Sequence, residues 1–359
     1  MLKEKVFFVT STLHTGGSER VMALLANNLC AKGYDVEIVC INKHIVFYPM
    51  DDSVKIRFAE DEVGKSYLKK AKWLRKHIKE ENPDIVIAFM LEVYCMTLFS
   101  MMGIKIPVIS SERIDPYFFG KAKRFLRWLL LRRTTHLVVQ TEQIKQFISP
   151  KLQRRTTIIP NPVTNEVFHL SPNVKKDNKI IAVGRLAYQK NYPLLFRAFK
   201  NVSDEFPDYQ LVIFGEGPQR EELEQEIDRL EMGERILLPG KTSHIIEELN
   251  MSQLFCMSSN YEGMSNAMLE AVCIGLPVVT TDVSGASDMV IDGKGGFIVE
   301  KGNVRQFENA MRVLLEDEHL RKKMGTYNKE RAIEYKEDRI VDQWEKLILK
   351  VIDVYKRSL

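Results

Sequence analysis

The chain predicts an α/β protein of two Rossmann-like units, each a parallel sheet with helices on both faces, and three observations carry that expectation. Short β-rich runs alternate with helix-period segments along most of the sequence, the pattern of strands joined by crossover helices. The 359 residues exceed the usual size of one domain. Between Ile158 and Lys179 the stretch IIPNPVTNEVFHLSPNVKKDNK, with three prolines, interrupts the periodicity and reads as a boundary.

In chain order, Val6–Thr10 reads as a buried strand, Ser18–Ala31 as a helix capped by Ser18, Val36–Ile41 as a strand and Tyr67–Glu80 as a basic helix. Ile85 to Ile104 is almost wholly apolar and close to the length of a membrane span, with Glu92 its one charge. Pro83 and Asp84 before it, the β-rich Ile85–Ala88, and Gly103 and Pro107 after it favour strand, helix and strand, and a mid-span Glu would be costly. Pro107–Ser110 follows as a strand, Ala122–Leu131 as a helix and Leu137–Gln140 as a strand. Beyond the boundary, strand-like runs return at Ile180–Val183, Leu211–Phe214, Ile236–Leu238, Leu254–Met257 and Val278–Thr281. The expected division is residues 1–165, residues 166–340, and a C-terminal helix over 341–359 packing back on the first unit. Ligands of such units sit at the C-terminal ends of the strands.

Composition narrows the class. The five cysteines are scattered among apolar residues without metal-ligand spacing and read as reduced core thiols. The apolar run Val6–Val9 is too short for a signal peptide, so a cytosolic enzyme is expected. The net charge of +4 hides an asymmetry: residues 1–165 hold 26 Lys plus Arg against 16 Asp plus Glu, and residues 166–359 hold 26 against 32. Much of the basic excess lies in Lys65–Glu80 and Lys121–Arg133. In the latter, Phe125, Trp128 and Leu129 form one apolar face beside Lys123, Arg124, Arg127 and Arg132. Such a helix either lies on an anionic membrane or buries its aromatics in the domain. No recognised motif supports nucleic acid as partner.

The stretch YEGMSNAMLEAVCIGLPVV, Tyr261 to Val279, carries the strongest chemical signal. Ala267, Met268, Ala271 and Val272 have helical period, Ser265 or Asn266 suits the N-cap, and Gly275 and Pro277 stop the helix. The N–H groups of Met264, Ser265 and Asn266 at that helix start suit phosphate oxygens. Carboxylates repel phosphate, so Glu262, in the loop before the helix, and Glu270, a turn or more along it, suit neutral ribose or hexose hydroxyls. Read singly, each is equally a solvated side chain. Arg185 and Lys190 follow the strand ending near Val183 and offer a planar donor fork and a compact charge. Gly16 and Gly17 lie between the first strand and a helix, where glycine lets backbone approach a ligand. Gly215 and Gly217 suit a tight strand-to-helix turn. No Asp-x-Asp triplet occurs, so the usual carboxylate pair for a metal-bound diphosphate is missing and no metal ligand is identified.

Together these residues resemble the signature of glycosyltransferase family 4, retaining enzymes of the GT-B fold. TGGSERV at Thr15 to Val21, VGRLAYQKNYPLLFRAF at Val183 to Phe199, FGEGPQREEL at Phe214 to Leu223 and the Tyr261 stretch match in order, and the likeness covers nearly the whole chain. The resemblance implies two facing units with a cleft between them. It implies that Glu262 contacts the transferred sugar, Glu270 the nucleotide ribose, and Arg185 and Lys190 the donor diphosphate, with Glu262, Arg185 and Lys190 as the catalytic set. Donor contacts are implied for Gly16, Gly17, Gly215, Gly217, Gly263, Met264, Ser265 and Asn266, and for Lys241 in the loop LPGKT.

One departure is visible. Many members have Ser-Glu-His where this chain has Ser111-Glu112-Arg113, followed by Ile114-Asp115-Pro116; a subgroup active in bacterial surface polysaccharide assembly resembles this variant. Arg113 is permanently charged and cannot act as a base. An electrostatic or acceptor-binding role is expected for it, acceptor contacts for Glu112 and Asp115, and for His14 either a substitute polar contact or a solvated loop position.

The implied reaction is retaining transfer of a hexose or N-acetylhexosamine from a nucleotide sugar, a UDP-sugar being favoured. The implied acceptor is a lipid-linked glycan on polyprenyl diphosphate or a growing surface polysaccharide. No cofactor and no essential metal are expected, and the location is cytoplasmic, peripheral on the inner face of the membrane. A nucleotide-sugar epimerase of similar architecture is the alternative; a dinucleotide dehydrogenase is disfavoured because TGGSER lacks the G-x-G-x-x-G fingerprint.

Overall fold

The computed structural model describes residues 3–14, 16–114, 120–170 and 174–358, and the chain divides into two compact units. Unit 1 comprises Met1–Pro162 with Asp338–Leu359, and unit 2 comprises Val163–Glu337.

Unit 1 runs β1 (Lys5–Thr10), α1 (Gly17–Ala31), β2 (Asp35–Cys40), β3 (Lys55–Phe58), α2 (Ala59–Val63), α3 (Tyr67–Glu81), β4 (Ile85–Phe89) and α4 (Leu91–Ser100). It continues with β5 (Val108–Glu112), α5 (Lys121–Leu131), β6 (His136–Val139), α6 (Glu142–Gln146), α7 (Pro150–Gln153) and β7 (Thr156–Ile158). The strands are parallel in the order β3-β2-β1-β4-β5-β6-β7. Both faces of the sheet are covered, so its central strands are continuous apolar runs. Val6 and Phe8 of β1 pack with α1 and the C-terminal helix Glu337–Arg357, whose Trp344 is fully buried. Phe7 and Val9 face the opposite way, into a cluster with Leu74 of α3 and Tyr94 of α4. The apolar segment from Ile85 thus resolves into β4 and α4, and among the described residues no helix is long and apolar enough to cross a membrane. One cap differs from expectation. The helix opens at Gly17 with Gly16 as N-cap, which leaves Ser18 inside the first turn, its hydroxyl donating to Glu19 Oε2 at 2.7 Å.

Unit 2 runs β8 (Lys179–Val183), α8 (Tyr192–Ser203), β9 (Gln210–Phe214), α9 (Arg220–Arg229), β10 (Ile236–Gly240), α10 (Ile245–Asn250), β11 (Leu254–Met257) and α11 (Asn266–Ile274). Then come β12 (Val278–Thr281), α12 (Ala286–Met289), β13 (Gly296–Val299), α13 (Val304–Glu316) and α14 (Glu318–Arg331). Its strands are also parallel, in the order β10-β9-β8-β11-β12-β13, with apolar clusters on both faces. In each unit the strand order reverses once, between β1 and β4 and between β8 and β11. At such a reversal the flanking loops diverge and leave a crevice at the C-terminal ends of the strands.

Candidate functional site

In unit 2 the reversal sets the loop after β8 against the loop after β11, and hydrogen bonds stitch the two. Asn260 N donates to Gln189 O at 2.8 Å, Asn260 Nδ2 to Tyr188 O at 2.8 Å, Gln189 Nε2 to Tyr261 O at 3.1 Å and Ser258 Oγ to Lys190 O at 2.8 Å. Across this seam Lys190 Nζ lies 2.7 Å from Glu262 Oε1, which also accepts from Ser259 Oγ at 2.9 Å. Glu262 is buried, so its charge needs these donors. Lys190 and Glu262, expected as separate contacts, form one charge pair. The Lys190 stem reaches the carboxylate across Gly184: a Cβ there would stand 2.5 Å from Lys190 Cε. Arg185, between them in sequence, is exposed.

The turn after β9 is fastened to the same loop. Leu186 N donates to Glu216 O at 3.1 Å, and Gln219 N to Leu186 O at 3.0 Å. Gly215 has φ +152°, and a Cβ on it would lie 1.9 Å from Gly184 O. A Cβ on Gly217 would lie 2.2 Å from Leu186 O. Backbone-to-backbone approach accounts for both glycines. Arg220 grips Glu216 with Nε at 2.8 Å and Nη2 at 2.6 Å, which holds that carboxyl below its usual range, and exposed Lys241 adds to the effect.

Of the two residues that suit the N-cap of α11, the structure uses Ser265, whose hydroxyl accepts from Met268 N at 3.4 Å. Gly263 and Met264 lie buried beside it, Asn266 opens the helix, and Glu270 is buried farther along. The helix ends at Gly275, φ +91°. Two residues escaped the sequence reading. Ser259 lies just outside the Tyr261 stretch and carries no motif signal of its own. Tyr192, in the first turn of α8, has a buried hydroxyl without a hydrogen-bond partner. Burial first, and then the charge of Glu262, push its phenol well above the usual range.

In unit 1 the loops after β1 and β2 are joined by backbone bonds, Ile41 N to Thr10 O at 2.9 Å, Asn42 N to Ser11 O at 2.8 Å and Phe47 N to Leu13 O at 3.0 Å. Tyr48 Oη donates to Gly16 O at 2.9 Å and accepts from Gly16 N at 3.3 Å, and Gly17 opens α1. His14 is exposed in this loop.

Glu112 and Arg113 leave the end of β5 for different surroundings. Arg127 Nε donates to Glu112 Oε1 at 2.6 Å, Arg127 Nη2 donates to Oε2, and Tyr94 Oη reaches Oε1 at 3.5 Å. Both charges are buried. Arg127, expected on the basic surface, is turned inward because a buried carboxylate requires a counter-charge. The residues around it do face out: Phe125 is 64 % exposed and Trp128 43 %, with Arg132 stacked 3.6 Å from the Trp128 ring. Of the two readings of this helix, burial of its aromatics does not occur. Arg113 lies over the Phe89 ring at 4.1 Å and donates from Nη1 to Asn161 Oδ1 at 2.7 Å and from Nε to Ser111 Oγ at 3.2 Å. Gln140 donates to the same Asn161 oxygen. Arg113 Nη2 is buried without a partner, no carboxylate pairs with this guanidinium among the described residues, and burial pulls it down to about 9. Asp115 lies outside the described residues.

Two family models match the chain, Glycosyltransferase Family 4 over residues 15–167 and Glycosyl transferases group 1 over residues 165–331. A Campylobacter jejuni α-1,4-N-acetyl-D-galactosaminyltransferase, named for a diphospho-undecaprenol-linked GalNAc acceptor, is 26 % identical over 97 % of this chain and 99 % of its own length. The amylovoran biosynthesis glycosyltransferase AmsD of Erwinia amylovora is 25 % identical over 93 % of this chain and 96 % of its own. Among solved structures, Anabaena HepE in complex with UDP superposes with a TM-score of 0.81 at 16 % identity, covering 97 % of this chain and all of that one. Sucrose-phosphate synthase from Thermosynechococcus elongatus gives 0.83 at 14 % identity, over 98 % of this chain and all of that one.

Proposed function

The chain belongs to the family 4 and group 1 glycosyltransferases, and from that premise we propose that it moves a hexose or N-acetylhexosamine, with retention, from a UDP-sugar to a lipid-linked or surface-polysaccharide acceptor. The observation that carries the donor assignment is the Lys190–Glu262 pair at the strand reversal of unit 2, with Arg185 exposed beside it. A sugar diphosphate brings hydroxyls for Glu262 and phosphate oxygens for Lys190 and Arg185. Glu270 takes the ribose hydroxyls, and the N-terminus of α11 adds its dipole to the diphosphate.

The acceptor hydroxyl attacks the anomeric carbon from the face the diphosphate leaves. The glycosidic bond forms as the carbon–oxygen bond to phosphate breaks, and the acceptor proton passes to a leaving phosphate oxygen. Arg185, Lys190 and the α11 start stabilise the charge on the departing nucleoside diphosphate without an essential metal. Unit 1 holds the acceptor, and the guanidinium of Arg113, with its partnerless Nη2, serves an anionic group on it. The exposed aromatics and cations of α5 support a peripheral seat against the inner face of an anionic membrane. Names of relatives that include undecaprenol diphosphate and amylovoran support this acceptor class, and the UDP-bound HepE supports the base.

Calorimetric titration of UDP tests the donor side. Glu270→Ala should weaken binding about tenfold, as expected for a lost hydrogen bond to a charged group, whereas Glu262→Ala should lose transfer more than binding. Wild-type affinity in Glu270→Ala would reject the ribose assignment. An isomerised donor formed without acceptor would select an epimerase instead, a reading disfavoured because the relatives named above are transferases.

A further inference from the structure

We propose that His14, His44 and Phe47 form a stacking shelf for a pyranose ring of the acceptor glycan, which rests on the transferase reading above. The two imidazoles stack with centroids 4.9 Å apart and planes at 14°, and Phe47 meets His14 edge-on at 6.4 Å and 90°. All three side chains are exposed, Phe47 by 58 %, and Ile45 beside them by 77 %. Ordered rings facing solvent from a loop form a surface that a ligand can cover.

The shelf is built, not floppy. Phe47 N is tied to Leu13 O, the strand-end bonds Ile41 to Thr10 and Asn42 to Ser11 lie below it, and Tyr48, edge-on to Phe47 at 5.2 Å, is fixed through its hydroxyl to Gly16. The rings, Leu13 and Gly16 are therefore tied together at the C-terminal ends of β1 and β2, beside the strand reversal of unit 1.

The chemistry selects a sugar. Aromatic faces carry negative charge density that attracts polarised C–H groups, and each imidazole adds ring nitrogens that donate to or accept from hydroxyls. A pyranose has both parts, an apolar C–H face and a hydroxyl rim. A bilayer would use only the rings. A phosphate would need a cation, and the nearest in sequence, Lys43, is paired with Asp61 at 2.8 Å.

Saturation-transfer NMR on the full chain decides the matter, with methyl glycosides of glucose, galactose, N-acetylglucosamine and N-acetylgalactosamine as probes. Wild type should transfer saturation to the ring C–H protons of at least one glycoside. Phe47→Ala and His44→Ala should each reduce the transfer about fivefold, Phe47→Trp should retain it, and UDP affinity should stay unchanged in all three. No transfer in wild type, or transfer at the wild-type level in both alanine variants, overturns the shelf. So does loss of vesicle binding with saccharide transfer intact, which would assign the rings to a membrane. Failure to bind UDP at all would instead strike the donor reading. These positions are exposed, so their truncation leaves the core intact; the melting temperature checks this.

Discussion

Replacing Glu112 by Gln removes one charge of a buried pair and strands the other. Glu112 is 2 % exposed and Arg127 8 %, so solvent screens neither. Burial alone would lower the Arg127 pKa, and the charge and hydrogen bonds of Glu112 outweigh it and raise it. Breaking such a pair from one side costs ~3–5 kcal/mol, whereas exchanging both partners for apolar groups is often neutral. Glu112→Gln should therefore lose ~4 kcal/mol and, at ~2–4 °C per kcal/mol for a unit of this size, ~10 °C in Tm. Glu112→Leu/Arg127→Met should recover all but ~1 kcal/mol, the remainder being the Tyr94 hydroxyl left without its acceptor. Urea unfolding followed by tryptophan fluorescence reads this directly, because Trp73, Trp128 and Trp344 all belong to unit 1. The slope against urea should not change. A loss below ~1 kcal/mol in Glu112→Gln, or a double variant no more stable than the single, would refute the claim that the pair anchors α5.

Three further outcomes are expected. Gly215→Ala should destabilise unit 2 by ~3 kcal/mol, since an added Cβ meets the Gly184 carbonyl and the backbone there has φ +152°; unchanged stability by differential scanning calorimetry would contradict that close approach. His136, bonded through Nε2 to Thr157 Oγ1 at 2.8 Å, is lowered to about 4 by burial first and then by Lys350 and Arg155. The unfolded chain takes up this proton below about 6.5. Unit 1 should therefore lose ~2 kcal/mol, discounted for partial exposure, as pH falls from 6.5 to 4. His136→Gln should flatten that slope in fluorescence-detected unfolding. In flotation with phosphatidylglycerol vesicles, Phe125→Ser/Trp128→Ser should bind about tenfold more weakly than wild type, whose binding should fall with salt; salt-independent or absent wild-type binding would remove the membrane role of α5.

The central strands were legible because strands of a parallel sheet covered on both faces must be apolar throughout: VFFV in β1, IVIAF in β4 and LVIF in β9 are such runs, and for IVIAF the flanking Pro83, Asp84 and Gly103 set it against a membrane span. β3, β7 and β13 were not seen. KIRF is a half-exposed edge strand without an apolar run, TTI has three residues, and GFIV opens on a glycine. Arg185, Lys190 and Glu262 could be singled out by residue type and order. The contact of Lys190 with Glu262 could not, because β9 and β10 lie to one side of β8 and β11 returns to the other, a neighbourhood that no local pattern encodes. Arg127 was misplaced for the same reason: on the helix it is one cation among several, and only the buried Glu112 on another element distinguishes it.

Glu112 and Arg113 are joined by one peptide bond, yet the first holds the surface helix α5 and the second lies over Phe89, whose ring belongs to the cluster on the opposite face of the sheet. α5 is therefore tied to the end of β5 by a side-chain charge pair, at the residue next to Arg113. A displacement of α5 that moved Arg127 would pull on Glu112 and so on the residue next to it, which couples the two faces of the sheet at the end of one strand.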